Sequence, residues 1–599
     1  MNRTVWSLLL FAASLSLAAI PTQAQTTEGA RLFETHCATC HGNPKSGVKA
    51  PDELALWTAT PEAIYAALDK SPHAALQDIT DAEKREVAFF LGGRRVDVVR
   101  NADAALMPNK CTGNPPVGDI ASKPSWNGWG NDISNTRYQS AKAAGMTADQ
   151  VPHLKLKWAF GFPGADEVYG QPTVASGRVF LGVDTGAVYS IDAETGCVYW
   201  SYQAAAGVRT AISYGPIKGH GASKYGVYFG DIRANVYMLD AATGKLLWKV
   251  KVDDYPVARI TGAPTLYQDR LYVPVSSLSE RASGYSTIFP CCQFRGSVVA
   301  LDANTGRTIW KTYPVQEAPK PLQITSKGVQ QWGPNGGAVW NAPTIDPKNH
   351  ALYIGTGDGY LPPAAKTTDA VVALDLKTGK IMWSIQDTEN DAWVAGCGPK
   401  NPSENCVKDI GPDYDFGASP ILRTLPNGGR MLVAGQKSGM VWGHDPDREG
   451  TLVWKAQLVQ KLALGMITFG GAADEQNAYF GVRTGGVAAV RLDTGEQIWS
   501  TPIRGASPVG ETAAITAIPG VIFSGGWDGT LRAFSSNDGR LIWQYDTAHE
   551  FDTVNKVPAK GGSFGAPGPT VAGGMLFAGS GYVFSVGNPG NVLLAFSVQ

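Results

Sequence analysis

The sequence predicts an all-β propeller of eight blades preceded by a small all-α domain. Three observations predict it. A phrase of the form Leu-Asp-x-x-Thr-Gly followed by Trp recurs along the chain from residue 188 onward, and a fixed internal period marks an architecture built from stacked supersecondary units. The last copy, beginning at Asn591-Val-Leu-Leu-Ala-Phe, breaks off before its Trp, while a strand that would complete it stands at the front as Leu154-Lys-Leu-Lys-Trp158. Ahead of the array the periodicity is helical, around Cys37-Ala-Thr-Cys40-His41.

The N-terminus reads Met1-Asn-Arg3, then an apolar run from Val5 to Ile20, then Thr22-Gln-Ala24. A charged start, a short apolar core and small residues before the cut predict a secretory signal peptide over 1–24 and a periplasmic location. The run is too short for a membrane span. Two of the eight cysteines belong to the Cys-x-x-Cys-His motif. The other six read as three disulfides, Cys291–Cys292, Cys397–Cys406 and, by elimination, Cys111–Cys197. A net charge of -1 from 51 basic and 52 acidic residues leaves no footprint for nucleic acid. At 599 residues the chain exceeds one ordinary domain.

Residues 25–100 form the small domain. Thr60-Pro61-Glu62 starts one helix, with Pro where a missing N–H is harmless. Thr80-Asp-Ala-Glu83 is a capping box for another, with Val87, Phe90 and Leu91 on its apolar face. Cys37-x-x-Cys40-His41 is a covalent haem c attachment site: two thioethers fix the ring and His41 ligates the iron. A redox disulfide would need a thioredoxin-like context and zinc a second ligand pair, and neither is visible. The sixth-ligand candidate is His73, in the loop Asp69-Lys-Ser-Pro72-His73; the alternative is Met107, beyond the last helix. Paired histidines give a lower reduction potential than His and Met. The segment resembles class I cytochromes c.

Residues 101–125, rich in Asn, Gly and Pro, read as a linker. The propeller covers 126–599. Its clearest copies are Val188 to Trp200, Val236 to Trp248, Val298 to Trp310 and Val371 to Trp383, with degenerate ones ending at Trp454, Trp499 and Trp543. Each alternates apolar and polar residues, turns at Thr-Gly and resumes in a strand ending in Trp, which is a β-hairpin pattern. Pairing the first strand with the last blade closes the ring and removes exposed sheet edges. The tryptophans pack between blades.

Between the repeats, Gly336-Gly-Ala-Val-Trp340-Asn-Ala-Pro, Leu352-Tyr-Ile-Gly-Thr-Gly-Asp358-Gly and Thr368-Asp369-Ala-Val-Val resemble the central segment of pyrroloquinoline quinone (PQQ) alcohol dehydrogenases. Thr261-Gly-Ala-Pro264, Glu280 and Phe294-Arg295-Gly296 resemble the blade before it, and Gly435-Gln-Lys437-Ser-Gly the blade after. The resemblance runs from about Trp126 to the C-terminus. With the haem domain N-terminal and Cys291-Cys-Gln-Phe-Arg-Gly296 in place, it is nearest to the cytochrome-type polyvinyl alcohol dehydrogenases.

That resemblance implies a quinoprotein alcohol dehydrogenase-like propeller holding PQQ and Ca²⁺. The implied reaction is oxidation of secondary alcohols of polyvinyl alcohol, a polymer or its oligomers, to ketones by hydride transfer to PQQ. Electrons would leave through haem c to a soluble cytochrome c or the respiratory chain. Trp340 would be the floor under the quinone, with Cys291–Cys292 above it. Thr261, Ser276 or Ser277, and Arg209 would bond its carboxylates and carbonyls. Glu280 and Asp358 would bind Ca²⁺, Lys437 would point at the reactive quinone oxygen, and Asp369 would take the alcohol proton. The family has Asn where Asp358 stands. Rare-earth relatives carry a second Asp two residues after the base; Val371 occupies that position here, which favours calcium. The alternatives are a PQQ dehydrogenase for another alcohol or sugar, and a non-catalytic propeller scaffold carrying a cytochrome domain.

Overall fold

The computed structural model describes residues 24–41, 50–51, 53–57, 59–70, 73, 79–92 and 96 of the N-terminal part. Beyond it, residues 102–598 are described apart from 286–288, 327, 398–402, 459–466, 484–485, 504–509 and 584–586. The signal peptide falls almost wholly outside the described residues. No helix among them is long and apolar enough to cross a membrane.

Helices Ala24–His36, Ala38–His41, Pro61–Leu68 and Asp81–Gly92 build the N-terminal domain. Both caps read from the sequence are made. Thr60 Oγ1 accepts from Ala63 N at 3.1 Å. Thr80 N donates to Glu83 Oε2 at 2.8 Å while Glu83 N returns a 3.3 Å bond to Thr80 Oγ1. The apolar faces meet around Phe33, Trp57, Phe90 and Leu91, with the Trp57 and Phe90 rings edge-on at 4.8 Å.

Eight sheets form the propeller. Blades 1 to 7 span residues 173–203, 213–251, 258–312, 344–386, 421–457, 472–501 and 516–546. Blade 8 combines Thr570–Ala572, Met575–Ser580 and Val592–Val598 with Leu154–Gly161, which pairs antiparallel to Val592–Val598 from Leu154↔Val598 to Gly161↔Val592. The ring closes where the truncated last copy requires it.

The Thr-Gly…Trp phrase has one physical cause. The glycine of each phrase sits at φ near +72° or +73° at positions 196, 244, 306 and 379, a conformation L side chains avoid. A Cβ there would strike the indole of the preceding blade: Trp158 at 2.9 Å from Gly196, Trp200 at 2.6 Å from Gly244, Trp310 at 2.6 Å from Gly379. The same indoles donate across the interface, Trp200 Nε1 to Ala241 O at 3.1 Å and Trp248 Nε1 to Ala303 O at 3.0 Å. Trp543 Nε1 bonds Leu154 O at 3.2 Å and carries the lock across the closure. Removing one such ring costs about 3–5 kcal/mol in a core setting.

One feature was not legible beforehand. Residues 126–139 run as a collar around the axis and bond seven innermost strands: Val174, Tyr214, Ile345, Leu422, Ala473, Ala517 and Val571. Residues 102–125, read from the sequence as a linker, carry the expected Cys111 staple and are laced to the first two blades. Cys111–Cys197 forms, Cys111 N and Val198 N bond Val198 O and Asn109 O, and Arg178 holds Asn114 Oδ1 and Pro115 O at 2.7 and 2.6 Å. Cys291–Cys292 and Cys397–Cys406 also form.

The helical domain docks on blades 2 and 3. Phe33, Trp57 and Leu91 share one apolar cluster with Val257, Ala282 and Phe289 of the propeller. Arg233 donates to Ala59 O and, at 3.3 Å, to Gly92 O.

Candidate functional site

The haem motif opens as expected: Cys37 is buried, Cys40 is exposed, and neither is in a disulfide. Burial pushes the Cys37 thiol up to about 11. His41 and His73 face each other with Nε2 atoms 3.4 Å apart and rings inclined by 9°. Their Nδ1 atoms are engaged behind, His41 with Pro51 O at 2.7 Å and His73 with Ala67 O at 3.1 Å. Such contacts fix the tautomer that leaves Nε2 free for a metal. Met107, the alternative sixth ligand, lies outside the helical domain. It is buried in the propeller core among Trp158, Phe577 and Val198, 3.9 Å from Asn555 Nδ2.

On the propeller axis, Trp340 packs with Trp129 of the collar against a wall of Tyr169, Phe469, Trp527 and Tyr582. Its indole lies directly on Gly417, where a Cβ would meet ring atoms at 1.8–2.4 Å. Lys437 Nζ is 5.3 Å from the Trp340 ring centroid. It sits in the turn between strands Arg430–Gly435 and Met440–Asp445 and bonds Asp413 Oδ1 at 2.5 Å and Asp415 Oδ2 at 2.8 Å. Burial opposes its charge, but Asp413, Asp415, Glu280 and Asp358 hold the ammonium well above its ordinary value.

Glu280 lies on the short helix Ser279–Tyr285. Its carboxylate meets those of Asp358 and Asp415, with one oxygen of each within 4.8 Å of the others. Burial, set against Lys437, pushes Glu280 up to about 8 and Asp413 to about 7. Asp358 rises well above the carboxylate range through burial and then Asp415 and Glu280. Its Oδ2 is buried with no hydrogen bond.

Asp369 precedes strand Ala370–Asp375 at φ +50°, a strained region for a residue with a side chain. It is fully buried. Neither carboxylate oxygen makes a hydrogen bond, the adjacent Thr368 hydroxyl being spent on Ala365 O. Burial, Asp415 and Asp391 push it well above its ordinary value.

Arg209 donates to Tyr582 OH at 3.2 Å and lies over the Phe469 ring at 5.6 Å. Thr261 Oγ1 and Ser276 Oγ bond each other at 2.8 Å. Ser277 Oγ reaches Tyr360 OH at 3.4 Å. Arg259 Nε, beside the Ser276 strand, is buried without a partner, and burial lowers that guanidinium to about 10. The vicinal disulfide lies in the apolar cluster of blade 3. Cys291 and Cys292 are buried among Phe294, Tyr360, Leu361 and Val394, with Cys292 Sγ 3.1 Å from Ser283 Oγ. That contact packs the disulfide against the helix that carries Glu280.

Residues 126–457 match the family model described as the β-propeller domain of glucose, ethanol and alcohol dehydrogenases. Residues 24–91 match that of the cbb3-type cytochrome c oxidase subunit III. A Pseudomonas polyvinylalcohol dehydrogenase is 39% identical over 100% of this chain and 98% of its own length. A second, from Sphingopyxis sp. strain 113P3, is 35% identical over 96% and 93%. The chain belongs to the polyvinylalcohol dehydrogenase family. Among solved structures, the quinohaemoprotein alcohol dehydrogenase ADHIIG of Pseudomonas putida HK5 superposes with a TM-score of 0.60 at 17% identity, covering 82% of this chain and 83% of that one, which attests the shared fold.

For this family member the donor set suits the groups the family uses. Three converging carboxylates, one with an orphaned oxygen, suit a hard cation that takes oxygen ligands. The side-chain-free bed at Gly417 lets the indole lie flat as a stacking surface. An unpaired Arg259 donor near Arg209 suits an anionic ligand. Sequence reasoning missed Asp413, Asp415, Gly417 and Arg259. The one available signal was Asp413-Tyr-Asp415-Phe-Gly417, two acids and a glycine just ahead of the first strand of blade 5.

Proposed function

We propose that this protein oxidises the secondary alcohol groups of polyvinyl alcohol or its oligomers to ketones in the periplasm, passing electrons to a soluble cytochrome c or respiratory-chain acceptor. One observation carries the reading. A chain aligned end to end with polyvinylalcohol dehydrogenases gathers Glu280, Asp358, Asp415 and Lys437 into one buried cluster beside Trp340. Bound PQQ supplies the hydride acceptor, Ca²⁺ the positive charge that the acidic cluster needs, and haem c a one-electron outlet.

The chain's own residues then have distinct tasks. Trp340, backed by Gly417, offers a rigid flat floor. Arg209 and Arg259, with the Thr261 and Ser276 hydroxyls, supply donors for carboxylates and carbonyls at the rim. Lys437 keeps a charged ammonium aimed toward the indole face because Asp413 and Asp415 hold it there. Asp369 receives the hydroxyl proton on a carboxylate oxygen that nothing else engages. The wall of Tyr169, Phe469 and Tyr582 shields the Trp340 face from water. In the helical domain, Cys37 and Cys40 anchor the haem while His41 and His73 hold its iron, each ring braced through Nδ1. The signal sequence and three disulfides support export to an oxidising compartment.

The test is alcohol-driven reduction of the haem in protein reconstituted with PQQ and Ca²⁺. Polymer and oligomer should outperform methanol and ethanol. A marked preference for the small primary alcohols refutes the substrate assignment. Absence of haem reduction by any alcohol refutes the dehydrogenase reading and leaves a cytochrome-bearing scaffold.

A further inference from the structure

The seam between the helical domain and the propeller encloses a small cavity with a buried, unanswered guanidinium donor on its wall. We propose that this cavity receives a propionate carboxylate of the haem, held by Arg259 and Arg233, so that the propeller anchors the prosthetic group of the neighbouring domain. The proposal rests on the haem-bearing reading above and extends it to the contact between the two domains.

The lining is shared. Trp57, Leu91 and Gly92 come from the helical domain, and Arg233, Val257 and Arg259 from the propeller. Val257 also belongs, with Ala282 and Phe289, to the apolar cluster that contains Cys37, Trp57 and Leu68. The apolar bed beside the attachment cysteine therefore runs without a break into the propeller. Haem carries ionised propionates, and a carboxylate in or beside such a bed is costly unless a cation meets it. Arg31, Lys84 and Arg85 of the helical domain are each paired with an acid of that domain, Glu28, Asp69 and Asp81.

The seam offers cations of its own. Arg233 donates to Ala59 O and, at 3.3 Å, to Gly92 O, which ties its guanidinium to the helical side of the cavity. Arg259 Nε is buried and has no hydrogen-bond partner. Burial is the main cause that lowers the Arg259 guanidinium, and the like charges of Arg209, Arg281 and Arg233 lower it further. A carboxylate between Arg259 and Arg233 would satisfy the orphaned donor and offset that repulsion, in the planar geometry a guanidinium recognises best. Arg259 also pairs in register with Ser276, at the rim assigned to the quinone. The walls contributed by Trp57, Leu91 and Gly92 are what favour the haem's carboxylate over one of the quinone's.

The test uses the full haem-bearing chain without PQQ, so that no step of alcohol oxidation is read. In Arg259→Gln the haem midpoint potential should fall below that of wild type, because a lost positive charge favours the ferric state, and the propionate band in the resonance Raman spectrum should shift. Arg259→Lys, which keeps the charge but not the planar fork, should restore the potential and leave the band shifted. An unchanged potential and band in Arg259→Gln overturn the proposal. A fall in potential with an unmoved band, the mark of a charge acting from a distance, overturns it too. So does a loss of PQQ affinity with the haem untouched, which gives the arginine to the quinone alone. Chloride separates a third source: the wild-type potential should ignore it, and a chloride-dependent potential that vanishes in Arg259→Gln puts a solution anion in the cavity and overturns the proposal. Crystals of the wild-type holoprotein decide the point without any variant. A propionate oxygen at about 2.7–3.2 Å from an Arg259 nitrogen supports it, and propionates out of hydrogen-bond reach of both arginines overturn it. Failure of the underlying functional reading looks different: the haem would respond to Arg259→Gln as described, while no alcohol reduces it once PQQ and Ca²⁺ are supplied.

Discussion

Gly417→Ala tests the quinone floor more sharply than removing the indole would. The added methyl would stand 1.8 Å from Trp340 Cη2, 2.3 Å from Cζ2 and 2.4 Å from Cζ3, where ordinary contact begins at 3.4 Å. The ring must therefore retreat by about 1.6 Å, because an indole is rigid and carries no flexible end to swing aside. Overpacking of this kind costs about 1–3 kcal/mol of stability, modest for a ring of eight interlocked blades. The catalytic effect should be far larger. A displacement of about 1 Å in a positioning surface is worth about 10²-fold in rate. We expect kcat/KM for alcohol-driven haem reduction to fall by about that factor, PQQ retention to weaken, and the thermal midpoint to drop by only a few degrees. Gly113→Ala is the control, since its methyl would enter open space, and it should match wild type. A Gly417→Ala enzyme with wild-type kcat/KM and PQQ affinity would refute the assignment of Trp340 as the floor.

Three further outcomes follow from the same geometry. Asp369→Asn should lower kcat by about 10²–10⁴-fold while the haem spectrum and PQQ content stay normal, and retained turnover would remove Asp369 as the base. His73→Met should raise the haem midpoint potential and change the visible spectrum of the oxidised protein, and an unchanged potential would argue that His73 is not the sixth ligand. At the blade 4–5 interface, the Arg430 guanidinium bonds Asp346 and Asp447 and holds the Asp447 carboxyl well below the usual carboxylate range. That contribution is complete above the ordinary carboxylate value of about 4 and is lost as pH falls through the lower folded value. Arg430→Gln should thus destabilise the protein at pH 7, with the gap in thermal midpoint to wild type narrowing below about pH 4; a gap independent of pH would refute the pairing.

What could be read from the sequence was what repeats or is local. Each Thr-Gly…Trp phrase carries both halves of a blade-to-blade lock, so blade number and closure followed from pattern alone. The Thr60 and Thr80 caps are contained within four residues. The paired cysteines were fixed by spacing and parity, and His73 stood out because its loop lacks a Met. Asp415 was invisible because it becomes a neighbour of Glu280 only when blades 3, 4 and 5 fan around the axis. The collar was equally hidden, since residues 126–139 have no periodicity of their own and gain their bonds one blade at a time. The helix Ser279–Tyr285 that carries Glu280 left no periodic signal, because it is short and contains Ser and Gly, weak helix formers that tertiary packing overrides.

The join between Leu154–Gly161 and Val592–Val598 also dictates an order of events. No N-terminal fragment emerging from a ribosome or an export channel can be a finished disc. The haem-bearing domain and seven blades can take shape as an open arc, but its two ends stay unmated until the final 7-residue strand is delivered. Newly made molecules therefore pass through a horseshoe stage with two raw sheet borders, the period in which a chaperone would be most useful. For the same reason, loss of Val592–Val598 would undo the last step of assembly while leaving every candidate site residue in the polypeptide.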